Sequence, residues 1–476
     1  MRDRLGRISV TWANKLVGAD LEAIVLAYYF MADDLSAEFY GKGNSASLII
    51  DYLQEYNADL TSNNGGGMKV LLVTEHYPFS SAESFLESEM QVFSDAPDLE
   101  LTIAPLNASG VPRQIPKTAR LDLRLSSKRL SVMDFFTTLT NKDLYRELLT
   151  ALRSRMGRGH TIIISLEILK TAFRITRVLR MAEHLACDQY DLIYCYWCDV
   201  AAYAFAELRK REGYDYKLVT RVHGFDLYEH RRRGSYQPFK RWYINEIDTV
   251  YAISQSAKEY LTEKFGAGNV SVSRLGVMLQ DYNSRPPSTD GYRLISVSSC
   301  IALKRVDMIF KAILLTAEKD PNENYEWTHV GDGPLFEDLK QNVATLSQDC
   351  PNLVVNFSGH HSNDDVLKIL NQNWDLFVNA SVSEGVPVSI MEAMSFGIPV
   401  VAPDIGGISE LVDEYTGVLV RDLDSAAMLR EAIVLGLNFS RDISVRHSCR
   451  DKIEKYYDAQ SNFSNFLTEL RRSIIR

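Results

Sequence analysis

The stretch Ser383-Glu384-Gly385-Val386-Pro387-Val388-Ser389-Ile390-Met391-Glu392 runs on through Ala393-Met394-Ser395-Phe396-Gly397-Ile398-Pro399. It reads as a loop feeding a short helix. Pro387 suits a first helical position, Gly397 a carboxyl-terminal cap, and Pro399 stops any continuation. The amino end of such a helix offers unpaired N–H groups and a partial positive charge, a seat for a diphosphate. Glu384 precedes the helix and Glu392 lies within it, so one carboxylate meets a ligand at the tip while the other reaches hydroxyls a turn along. A sugar and a ribose joined by a diphosphate have that layout. Taken alone, two glutamates eight apart on a helix are ordinary solvated charge.

Outward from this block the chain alternates short apolar runs with helical segments, the pattern of βαβ units on parallel sheets. Met68-Lys69-Val70-Leu71-Leu72-Val73-Thr74 opens the series as a buried strand. The first set of predicted strands is Lys69–Thr74, Leu99–Pro105, Asp191–Tyr196, Lys217–Val222 and Thr249–Ile253. A polar, turn-rich passage from Val277 to Tyr292 (Arg285-Pro286-Pro287-Ser288) marks a boundary. The second set is Tyr292–Ser298, Glu326–Val330, Leu353–Ser358, Leu376–Asn379 and Pro399–Ala402. The fold class is therefore α/β, with two Rossmann-like doubly wound halves facing across a cleft. The expected domains are an amino-terminal extension without assigned role (1–67), an acceptor-side domain (68–276), a donor-binding domain (292–440) and a carboxyl-terminal helix returning to the first domain (441–476).

Composition narrows the class. Of 476 residues, 46% are hydrophobic and 24% charged, which suits a water-soluble enzyme able to bury a large core. The net charge of −10 argues against a nucleic-acid binder. Residues 113–183 run the other way, with 15 Lys and Arg against 6 Asp and Glu. Phe135-Phe136, Leu148-Leu149 and Ile162–Ile164 are set among those cations, the pattern either of a helix on an anionic membrane face or of one packed on its own domain with its arginines solvated. The six cysteines have no disulfide-framework spacing, which fits a reducing cytoplasm. No apolar run approaches the ~18 residues of a membrane span, and Met1–Val10 lacks the apolar core of a signal peptide. The expected place is the cytoplasm, at the inner face of the membrane.

Glu-Gly-Val-Pro, then Glu392-Ala-Met-Ser-Phe-Gly-Ile-Pro-Val-Val-Ala402, then Gly406-Gly407 and Glu410, resembles the donor-binding signature of retaining glycosyltransferase family 4, the group 1 glycosyl transferases of GT-B fold. The resemblance covers residue 68 to about 435. It implies hexosyl transfer with retention from a nucleotide sugar to a glycan or lipid-linked acceptor in polysaccharide or glycolipid synthesis. By it, Glu384 contacts the donor sugar, Glu392 the ribose hydroxyls, and the backbone of Gly385, Val386, Pro387 and Val388 the sugar and phosphates. His223-Gly224-Phe225-Asp226 follows a predicted strand where the family contacts the donor sugar near the reacting carbon, so His223 joins the site. Asp226 reads equally as a turn residue. Lys304-Arg305 lies past the strand Tyr292–Ser298, placed to neutralise charge on the departing diphosphate. Family members carry Gly-Arg, a spacer, then Lys-Gly; here Lys304 carries over, Ser299 stands at the arginine position, and Arg305 replaces the glycine. In the loop from His76 to Leu86, Glu83 is either a site residue or the cap of the next helix.

Cys195-Tyr196-Trp197-Cys198 mimics a redox C-x-x-C but ends an apolar strand, so half-buried thiols are expected. Gly331-Asp332-Gly333-Pro334 is a strand-to-helix turn. No metal-ligand spacing occurs, and no cofactor is expected. Two rival activities fit parts of this pattern: a GT-B nucleotide-sugar epimerase, and a catalytically silent nucleotide-sugar-binding scaffold, to which the Ser299 departure gives a foothold.

Overall fold

The computed structural model describes residues 67–475 apart from 81, 82, 84, 127–131, 154–157 and 282–289; the 1–66 part of the extension lies outside the described residues. Two all-parallel sheets carry the chain. The first has seven strands in the order β3-β2-β1-β4-β5-β6-β7: β1 (Met68–Thr74), β2 (Leu99–Pro105), β3 (Arg120–Leu121), β4 (Leu192–Cys195), β5 (Lys217–Val222), β6 (Thr249–Ala252) and β7 (Val270–Val272). The second has six, in the order β10-β9-β8-β11-β12-β13: β8 (Tyr292–Val297), β9 (Tyr325–Val330), β10 (Leu353–Gly359), β11 (Leu376–Val378), β12 (Val400–Pro403) and β13 (Gly417–Val420).

The central strands are apolar because both faces are covered by helices. Val70, Leu71 and Leu72 of β1 have no exposed surface, and the register sets Val70 between Leu101 and Leu192. In each sheet the order reverses once: β1 lies between β2 and β4, and β8 between β9 and β11. Loops diverge at those points, and the crevice they leave beyond the strand ends is where ligands enter this kind of sheet.

Two chain crossings join the halves. One follows β7; the other is Tyr457-Asp458. They run side by side, the Val277 amide donating to the Tyr457 carbonyl at 2.9 Å and the Ala459 amide to the Val277 carbonyl at 3.1 Å. The helix Ile443–Tyr456 stays with the second sheet, its Val445, Cys449 and Ile453 packed in one cluster with Ile390, Met391 and Met394. The last helix, Ala459–Ile475, returns to the first sheet, where Phe466 lies 5.4 Å from Tyr194 and 4.8 Å from Tyr251. The single terminal helix expected over 441–476 is thus two helices. Asp458 makes the break, its carboxylate accepting from the Gln460 and Ser461 amides and starting the second one.

Candidate active site

The helix expected after Ser383 spans Val388–Ser395, with Pro387 at its amino cap (φ −74°) and Gly397 left-handed beyond its end. Its inner face carries Ile390, Met391, Ala393 and Met394, all without exposed surface, so the segment is a fixed platform. The amides of Val388 and Ser389 lie in the first turn and have no intrahelical acceptor. Lys304, just past β8, pairs its ammonium with Glu384 at the tip of this platform. Glu392, 6% exposed, has one side-chain partner, the Asn363 amide at 3.2 Å. Burial pushes its carboxyl up to about 8, since nothing nearby repays the cost of ionising it.

Across the cleft, β5 delivers His223. Its ring is framed by Trp197 at 4.6 Å, Tyr196 at 4.7 Å and Phe85 at 5.9 Å. Neither ring nitrogen has a hydrogen-bond partner. Burial, then the Arg221 guanidinium (itself paired with Glu89 at 3.0 Å), holds the imidazole well below its usual range. His223 is therefore neutral at physiological pH, able to donate from one nitrogen and accept at the other. The loops of the two halves touch here. A methyl group on Gly224 would come 3.3 Å from the Gly385 amide nitrogen, which marks a close approach of the two backbones. His230 Nε2 meets Ser383 Oγ at 2.9 Å, and Glu410 accepts from the Ser256 amide and the Arg274 guanidinium at 3.0 Å each.

Three charged residues from the sequence reading serve the frame. Asp226 has no exposed surface; it accepts from the His223 amide at 2.8 Å and the Cys198 amide at 2.9 Å, which locks the turn that presents His223. Glu83 accepts from the amides of Glu75, His76 and Tyr77 at 3.2, 2.7 and 2.5 Å and from the Trp197 indole at 2.5 Å. Arg305 directs Nε to the Ala380 carbonyl at 2.7 Å and Nη1 to the Leu423 carbonyl at 2.8 Å. Its guanidinium thus ties loops together instead of facing the helix tip. Arg305 also has φ +47°, the left-handed conformation that a glycine takes without strain.

Several neighbours were not singled out from sequence. Phe85, Tyr196 and Trp197 form the aromatic wall, and two of them sit inside the discarded C-x-x-C. Both of its thiols are fully buried, not half-buried as expected, and burial pushes Cys198 up to about 11. Arg231 places Nη1 against Gly224, beside the Gly385 amide, a guanidinium at the cleft where Ser299 supplies none. Among the described residues no group of three His, Cys, Asp or Glu is placed to hold a metal ion.

The sequence pattern described as glycosyl transferases group 1 matches residues 291–438, and that of glycosyltransferase family 4 matches 134–280. The chain belongs to the group 1 glycosyltransferases. It is similar to the putative teichuronic acid biosynthesis glycosyltransferase TuaC of Bacillus subtilis, 25% identical over 380 residues, covering 77% of this chain and 88% of that one. The amylovoran biosynthesis glycosyltransferase AmsK of Erwinia amylovora is 25% identical over 295 residues, 59% and 69% of the two chains. In fold this group 1 glycosyltransferase matches the lipopolysaccharide galactosyltransferase WaaB, with a TM-score of 0.59 at 17% identity over 84% of this chain and 99% of that one. HepE of Anabaena, solved with UDP-glucose, matches with 0.56 at 16% identity over 85% and 100%. The fold is GT-B.

Proposed function

We propose that this glycosyltransferase moves a hexose, with retention, from a nucleoside diphosphate sugar to a glycan or lipid-linked acceptor in the assembly of a cell-surface polysaccharide. The observation that carries the reading is the Lys304–Glu384 pair ahead of the buried helix Val388–Ser395, with the underpartnered Glu392 inside that helix, opposite an imidazole whose two nitrogens have no hydrogen-bond partner. On this reading the diphosphate rests on the first-turn amides, with Lys304 meeting the charge that grows as it leaves. Arg231 adds a second cation from the other domain. Glu392 accepts the ribose hydroxyls. Glu384 and neutral His223 orient the sugar.

The acceptor oxygen attacks C1 on the face the diphosphate is leaving. The bond from C1 to the phosphate oxygen breaks, the new glycosidic bond forms, and the acceptor proton passes to that phosphate oxygen. No metal enters this scheme, and chelation would leave the rate unchanged. TuaC and AmsK carry names from polysaccharide synthesis, which supports the acceptor class, and HepE, solved with UDP-glucose, makes UDP-sugars the first to test.

The basic helices supply a proposed membrane contact. No helix of the described residues is long and apolar enough to cross a membrane. Met133 (66% exposed) and Phe136 (57%) stand on the helix Val132–Thr140 and Ile162 (61%) on Arg158–Ala182, while exposed Lys142, Arg146 and Arg153 belong to the helix Lys142–Arg153 between them. Exposed apolar groups and cations in neighbouring helices suit an anionic lipid surface.

A thermal-shift panel of UDP-, GDP- and ADP-sugars, followed by NMR of the product anomer, tests the reading. One nucleotide class should raise the melting temperature, and the donor's anomeric configuration should persist. No shift with any donor, or an inverted product, would sink it.

A further inference from the structure

A second cavity, of 380 Å³, opens in the first domain beyond the carboxyl ends of β1 and β2. The helix Arg158–Ala182 turns Lys170, Arg174 and Arg177 toward it, at steps of four and three that share one helix face. Glu75 contributes the one carboxylate of the lining; it meets Arg174 at 3.1 Å and accepts from the Asn107 amide at 2.9 Å. Lys170 has no ion pair or hydrogen bond among the described residues. His76 also lines the cavity, and its Nδ1 is buried with no partner. Within the lining three cations face one carboxylate, with Asp199 acting on Arg174 and Asp134 on Arg177 from outside it. Burial depresses the Arg177 guanidinium; Asp134 opposes the shift, and the like charge of Arg180 and Arg174 adds to it. An anion in the cavity would relieve that repulsion.

We infer that this cavity is an acceptor subsite for a phosphate or diphosphate group carried by the sugar that receives the transfer. The inference rests on the glycosyl-transfer reading. A row of forked guanidiniums and an ammonium fits tetrahedral oxyanions, which accept several charge-assisted bonds at once. Val178 and Met181 on the same helix, with Leu106 and Leu125, supply an apolar part of the lining, against which the carbon skeleton of the acceptor can rest. A chain of hydrogen bonds and one ring contact ties the cavity to the chemistry. The loop Glu75–Tyr77 that edges the cavity is held by Glu83, Glu83 also holds Trp197, and Trp197 packs on His223. The donor's diphosphate has its own seat on the second domain, so this one serves a second anion.

The first test is calorimetric titration of the full chain with inorganic pyrophosphate, the donor cleft being filled with UDP or GDP as the thermal panel selects. One equivalent should bind. Lys170→Gln and, separately, Arg174→Gln should each weaken it about tenfold. No binding with the nucleotide in place, equal binding by both variants, or equally tight binding of glucuronate would overturn the assignment. Nucleotide affinity is read in the same samples, so a failure of the glycosyl-transfer reading shows as loss of nucleotide binding by the unmodified chain. The second test compares three acceptors of one sugar: its methyl glycoside, its 1-phosphate and its prenyl-linked diphosphate. Both phosphorylated forms should surpass the glycoside at least tenfold in kcat/KM, mainly through KM, and the better of the two shows whether the anion comes free or on a lipid. A methyl glycoside used as efficiently as either would overturn the proposal.

Discussion

Two buried glutamates, one on each side of the cleft, have opposite surroundings. Glu83, 1% exposed, accepts three backbone amides and an indole N–H. Glu392, 6% exposed, has a single amide partner and a carboxyl pushed up to about 8. A carboxylate saturated by its own chain is part of the frame, whereas one left short of donors in a buried place holds room for a ligand. The contrast recurs in adjacent residues. Arg305 binds loop carbonyls while Lys304 faces the helix tip. Asp226 is fully engaged while His223 has both nitrogens open.

The hardest test of this division is Lys304→Gln. If the ammonium stabilises the departing diphosphate, turnover should fall about 10²–10³-fold, the range for one missing electrostatic stabiliser. The melting temperature should fall as well, because the Glu384 carboxylate, 7% exposed, would be left buried without its cation. Steady-state kinetics and a thermal melt on the same preparation read both. Turnover within tenfold of the parent would shift the role to Arg231, and Arg231→Lys would become the deciding variant.

Glu83→Gln probes the frame side. The new amide nitrogen would face N–H groups in place of an acceptor, and the loop Glu75–Tyr77 would lose part of its anchor. A loss of about 2–3 kcal/mol in urea unfolding is expected. Unchanged stability would break the comparison at its first member.

The strands were legible because apolar runs bounded by turns report burial directly: β2 and β5 were read to the residue, and the other eight predicted strands to within one or two. β3, β7 and β13 were not read, being two to four residues long and carrying Arg120, Ser271 and Gly417, too little apolar pattern to register. At the site, Glu384, Glu392, His223 and Lys304 were legible as short ordered motifs. The aromatic wall and the row Lys170, Arg174 and Arg177 were not. Trp197 meets His223 through the pairing of β4 with β5 and Phe85 through the helix it caps, and a helical row of cations looks in sequence like a solvated face. Frame and ligand roles within one motif were equally hidden, since Lys304 and Arg305 differ only in where their side chains end.

The pH dependence of Glu392 separates a waiting carboxyl from a structural one. Its folded value is about 8 against an ordinary 4.5. Between those limits the folded chain holds a proton that the unfolded chain has released, so this group lowers stability as pH rises through the window. Glu392→Gln should therefore match the parent near pH 4.5 and become the more stable of the two toward pH 8, by up to about 4 kcal/mol. Donor binding should oppose the effect. Ribose hydroxyls favour the carboxylate, so the parent should release a proton on binding, measurable by calorimetry in buffers of different ionisation enthalpy, and the variant should release none. A parent curve parallel to the variant's would show that Glu392 is already ionised and satisfied.

The smallest expected effect belongs to Arg305, and it bears on why the sequence departs from its family at this position. With φ +47°, the residue adopts a conformation that costs a non-glycine side chain about 1–2 kcal/mol. The bonds from its guanidinium to the Ala380 and Leu423 carbonyls offset that cost. Arg305→Gly removes the strain and the bonds together, so stability should fall by about 1 kcal/mol or less. Arg305→Ala keeps the strain and loses the bonds, and should fall about 1 kcal/mol further. The difference between the two variants, read from urea midpoints, isolates the backbone cost. Turnover in both should stay within a few-fold of the parent, because the guanidinium ends on loop carbonyls. If Arg305→Gly instead loses turnover on the scale of Lys304→Gln, the guanidinium leaves those carbonyls for the donor when the cleft fills. The pair Lys304-Arg305 would then act as the double cation that its spacing first suggested.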